Sequence, residues 1–75
     1  MVKVVSAEPM ENYRLKIELS TGKQGIFDVS PYLDKGVFCE LKEENYFRQV
    51  KVAFGGIMWQ HEQDFSPETI EYELQ

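Results

Sequence analysis

The stretch that most restricts the fold is Ile26-Phe27-Asp28-Val29-Ser30-Pro31-Tyr32-Leu33. Phe27 and Val29, two residues apart, share one face of an extended chain, while Ile26 and Asp28 take the other. Ser30 then offers a side-chain oxygen to an unpaired helical N–H, and Pro31 suits the first helical position. A strand therefore gives way to a helical turn within a few residues. Phe27, Val29, Tyr32 and Leu33 place apolar bulk on both sides of this corner, so sheet and helix must pack together there. The corner describes a fold and says almost nothing about chemistry.

The segments on either side extend the pattern. Val2 to Ala7 reads as a first strand rich in β-branched residues, broken from Pro9 to Asn12. Tyr13, Leu15, Ile17 and Leu19 alternate with Arg14, Lys16, Glu18 and Ser20, giving one buried and one charged face. Ser20-Thr21-Gly22-Lys23 is a hairpin turn. Beyond the corner, Leu33, Val37 and Leu41 recur every four residues with Phe38 beside them, as on a helix. Val50, Val52 and Phe54 alternate up to Gly55-Gly56, a natural two-residue turn. Counting from that turn sets Phe54 opposite Ile57, Val52 opposite Trp59 and Val50 opposite His61. Ser66-Pro67 repeats the helix-start device, with Ile70 and Leu74 forming one apolar edge. The expected class is α+β, a single domain over residues 1–75: a small antiparallel sheet of three strands, short helices, then a β-hairpin and a C-terminal helix, packed in two layers.

Seventy-five residues lie near the lower limit for folding without metal or disulfide. A chain this short hides only about 60% of its unfolded surface, leaving roughly 3–5 kcal/mol net. A hydrophobic content of 43% is nevertheless enough for a core. The longest uncharged run, Val52 to His61, contains glycines and is too short to span a bilayer. The lack of a charged-then-apolar leader and the lone Cys39, which has no internal partner, lead us to expect a cytoplasmic protein.

Charge is distributed unevenly. Up to Lys51, eight basic residues balance eight acidic ones; beyond it there is no Lys or Arg, while Glu62, Asp64, Glu68, Glu71 and Glu73 remain. A face of that sign repels phosphate backbones, which disfavours direct nucleic-acid binding, and attracts a basic partner. It also serves simply as a solvated, solubilising surface.

Readable chemistry is sparse. His61 has no second histidine at metal-ligand spacing, and Cys39, set between Phe38 and Glu40 on the helical stripe, reads as a small core residue. Asp28 interrupts an apolar run just before a helix start; it is either an acid or base or a ligand anchor, or else a local acceptor for the N–H groups around Ser30 to Leu33. Neither a catalytic constellation, a metal site nor a cofactor is expected.

Phe27-Asp28-Val29-Ser30-Pro31-Tyr32-Leu33, Gly36-Val37-Phe38, Leu41-Lys42 and Tyr46-Phe47, opened by Val4-Val5-Ser6-Ala7-Glu8-Pro9 and closed by Ile57-Met58-Trp59 and Asp64-Phe65-Ser66-Pro67-Glu68-Thr69, resemble the DUF2442 family of small bacterial proteins. The resemblance implies a small α+β domain with an antiparallel sheet. It also implies kinship with members fused to a helix-turn-helix domain and with others suspected of being antitoxins. It implies no catalytic residues.

Two functions follow as expectations. The first is a non-enzymatic protein-binding module, antitoxin-like, whose Glu62, Asp64, Glu68, Glu71 and Glu73 meet a basic protein encoded nearby; exposed β edges also allow a homodimer. The second is a small-ligand-binding domain with a pocket between sheet and helices near Asp28, Tyr32 and Trp59.

Overall fold

Strand β2, Arg14–Leu19, shows why this chain folds: Leu15, Ile17 and Leu19 are buried while Lys16 faces water. In the computed structural model, which describes residues 1–75, it lies between β1, Val4–Pro9, and β3, Gln24–Asp28, in an antiparallel sheet. A three-residue turn at Ser20-Thr21-Gly22 joins β2 to β3, with Gly22 at φ +90°, where a side chain would be strained. The first strand starts and ends two residues later than the sequence suggests. Pro9 stays in it opposite Leu15, because at the outer edge its missing N–H leaves no ladder bond unmade. On the far edge, Ile26 exchanges two backbone hydrogen bonds of 2.8 Å with Gln75.

The second half forms a sheet of its own, not a lone hairpin. Strands β4 (Lys51–Ala53), β5 (Gly56–Met58) and β6 (Asp64–Phe65) run antiparallel in that order. The hairpin turns at Phe54-Gly55, one residue earlier than Gly55-Gly56, and pairs Val52 with Ile57 and Ala53 with Gly56. The earlier turn slides the register by two residues: Ile57 and Trp59 are buried as expected, but Val52 and His61 are exposed, and Phe54 leaves the strand and is 97% exposed. Packing chooses this turn. A Cβ on Gly56 would lie 2.2 Å from the Phe65 carbonyl oxygen, so Gly56 is required within the strand and is not free to turn.

The intervening segment is wound as 3₁₀ helix at Ser30–Tyr32 and Gly36–Lys42, followed by the single turn α1, Glu44–Phe47. With three residues per turn, Phe38 and Leu41 share the inward face. Val37 is consequently 69% exposed and Cys39 is exposed too, correcting the fourfold stripe and the core cysteine. Helix α2, Pro67–Glu73, begins as expected: the Ser66 hydroxyl accepts from the Thr69 N–H at 3.2 Å, and Ile70 is buried.

Both sheets bury their inner faces in one core, whose largest members are Trp59, Phe27 and Phe47. The ring of Phe65 is central, with centroids 5.0 Å from Phe27, 4.9 Å from Tyr32, 5.0 Å from Phe38 and 6.1 Å from Trp59. It thereby joins β3, both 3₁₀ segments and the β5 end. Phe65→Ala is expected to cost about 3–5 kcal/mol through lost transfer energy and an unfilled cavity. That equals the net stability of a domain this small, so urea titration by circular dichroism should show it largely unfolded without denaturant. A midpoint within error of the parent's would contradict this packing.

Candidate functional site

Asp28 acts locally. Its Oδ1 accepts from the Ser30 N–H at 2.9 Å and the Ser30 hydroxyl at 2.7 Å, so Asp28 fixes the corner and Ser30 donates to it, with no capping bond of its own to the helical turn. Tyr32 donates its hydroxyl to Glu73 Oε2 at 2.5 Å. That bond, then burial and the nearby negative charge, push its pKa up to about 12. Trp59 is wholly buried, its indole N–H donating to the Phe47 carbonyl at 2.8 Å. Asp28, Tyr32 and Trp59 line neither of the two hollows in the surface.

A polar network invisible in the sequence crosses the other end. Gln63, the only buried polar side chain, accepts from the Tyr46 hydroxyl at 2.6 Å and donates to the Val37 carbonyl at 3.0 Å and Glu40 Oε1 at 2.9 Å. Tyr46 in turn accepts from the His61 N–H at 2.8 Å, and its ring stacks on the imidazole at 5.2 Å. His61 Nδ1 lies 2.5 Å from Glu40 Oε2. None of its buried side-chain atoms lacks a partner, so the network holds the 3₁₀ segment, α1 and the loop after β5 in one arrangement. Nowhere do three His, Cys, Asp or Glu side chains converge as a metal-binding group.

The larger hollow lies over the outer face of the second sheet. Its volume is about 360 Å³; Ala53, Phe54, Gly56, Met58 and Pro67 line it, with Glu62 and Asp64 as its carboxylates. Register explains the composition, because Asp64 pairs with Met58 and both face away from the core. Sequence reasoning missed this groove because it assigned Phe54 to the strand interior. The usable signal was the pair of glycines, of which only one could be the turn.

The five late carboxylates do not form one stripe. Glu62 and Asp64 belong to the groove and Glu68 is exposed at the start of α2. Glu71 and Glu73, two residues apart on a helix of 3.6 per turn, flank opposite sides of buried Ile70. Glu73 is engaged by Tyr32. Neither the Lys42–Asp34 ion pair at 2.7 Å nor the His61–Glu40 contact includes any of the five.

Gln63 donation, and secondarily His61, hold the Glu40 carboxyl below its ordinary 4.5. The folded chain therefore keeps Glu40 ionised more firmly than the unfolded chain does. Its stabilisation is present above pH 4.5 and is lost as pH falls through the lowered folded value. Urea midpoints across this acid range should fall less steeply for Glu40→Gln than for the parent; parallel curves would show that the network does not sense this charge.

The family model for "Protein of unknown function (DUF2442)" matches residues 4–75. No curated protein and no solved structure matches the chain. No helix is long and apolar enough to cross a membrane. With nearly its whole length matched, from the first strand through the last helix, the chain belongs to the DUF2442 family.

Proposed function

We propose that the chain is a non-enzymatic protein-binding module, an antitoxin-like subunit that masks a basic protein encoded beside it. The supporting observation is the uncompensated carboxylate surface of its last third. After Lys51 there is no cation, and Glu62, Asp64 and Glu68 are exposed and free of ion pairs. Complementary charge of this kind accelerates encounter and selects partners more than it adds affinity. The core, by contrast, leaves no buried side-chain polar atom without a partner, so its polar groups are spent on the fold.

The hollow of about 360 Å³ favours one second reading, a small-ligand-binding domain, since pockets for small molecules begin at about that size. A metabolite panel that leaves the backbone amide shifts of Ala53, Gly56 and Met58, which line the hollow, unchanged would disfavour it.

The test of the first reading is co-expression with the product of the adjacent reading frame, followed by purification and kinetics of reassociation. The expected result is a complex whose association slows as salt is raised. A Glu62→Gln, Asp64→Asn, Glu68→Gln variant should associate about tenfold more slowly at low ionic strength. A parent chain that purifies alone from this co-expression, or a variant that associates at the parental rate, would refute the reading.

A further inference from the structure

Phe54 sits in a conformation and a place that do nothing for the isolated fold. It occupies the first central position of a two-residue turn at φ 53°, followed by Gly55 at φ 80°. Turns of this type favour Asn, Asp or Gly there, because a Cβ is strained in the left-handed region. Its ring is 97% exposed, so burial returns nothing for that strain. Phe54 also lines the groove, together with Ala53, Gly56 and Met58. An exposed aromatic beside a preformed hollow is the arrangement found at the energetic centres of protein interfaces.

The chemistry of the groove selects its occupant. Half of the residues lining it are hydrophobic, so it offers an apolar side chain a place to bury, and Met58 adapts to varied shapes. Glu62 and Asp64 line the same groove, whereas Lys51, paired with Met58 on this face of the sheet, and Lys3, whose side chain lies beside Gly55, stand outside its lining. The net negative lining favours a cationic visitor. It disfavours a second copy of the chain, whose own Glu62 and Asp64 would approach these and which carries a net charge of −5. A small molecule would be sheltered by the hollow but would leave the projecting Phe54 ring uncovered. We propose that the groove, anchored by Phe54, docks a basic polypeptide segment that presents an apolar side chain between cationic ones; this rests on the protein-binding reading above.

The probe is a synthetic peptide of alternating leucine and lysine, titrated into isotope-labelled protein and followed by backbone amide shifts. Controls are a serine–lysine peptide, a leucine–glutamate peptide and leucine amide. The expected result is saturable shifts at Ala53, Phe54, Gly56, Met58 and Asp64 with the leucine–lysine peptide alone. Phe54→Asn should raise the unfolding midpoint, which shows the fold intact, while weakening peptide binding about tenfold. Asp64→Asn should weaken binding and flatten its salt dependence. No binding, undiminished binding to Phe54→Asn, equal binding of serine–lysine peptide or leucine amide, or self-association through the same residues would each overturn the proposal. Shifts confined to Glu68 and Glu71, with the neighbour's product still captured, would overturn the groove and leave the protein-binding reading standing. Loss of that capture as well would remove both.

Discussion

The ring of Phe65 is the contact on which the remaining structure depends. Two three-stranded sheets of short strands cannot each bury enough surface to stand alone, and β6 contributes only Asp64 and Phe65. Its single inward ring reaches Phe27 on the first sheet, Tyr32 and Phe38 on the 3₁₀ segments and Trp59 beyond β5. A small domain has few large side chains to spend, and here they converge on one point. The backbone at Phe65 matters equally. Its carbonyl occupies the space a Gly56 side chain would need, so the same residue sets the core on one face and hollows the sheet on the other.

Groove and core are thus two consequences of one packing decision. With Gly56 held under Phe65, the hairpin turns one residue early, and Phe54 is carried out of the strand into the left-handed region. The interior is otherwise complete: Gln63, Tyr46 and Trp59 all find partners, and Ile26 is paired by Gln75 at the far edge of the first sheet. What remains unbalanced is outside, in the bare ring of Phe54 and in the carboxylates of Glu62, Asp64 and Glu68.

Periodicity revealed the parts of the fold that short-range rules govern. The alternation of Leu15, Ile17 and Leu19 placed β2 correctly, and Ser66-Pro67 marked the start of α2, because both depend on neighbours in sequence. The corner at Asp28 was legible for the same reason, although Asp28 and not Ser30 supplies the acceptor. Val37 and Cys39 were misplaced because tertiary docking tightened the segment to three residues per turn. The Gly55-Gly56 turn failed because an atom distant in sequence decided between two glycines. The site was hidden for that same reason: Gln63 with Tyr46, and Phe54 with Glu62 and Asp64, meet only once both sheets have formed.

The two sheets form one cooperative body, joined through the Phe65 ring and by the Val4 N–H donating to the Gly55 carbonyl at 2.8 Å. Native-state amide exchange with graded urea tests that directly. The slowest amides of the first sheet, at Leu15, Ile17 and Phe27, are expected to open with the same free energy as Ile57 and Met58 of the second. Amides at Ile57 and Met58 that open well below the first sheet, as a separate unit, would show that the ring does not join the sheets and that the groove has no fixed floor.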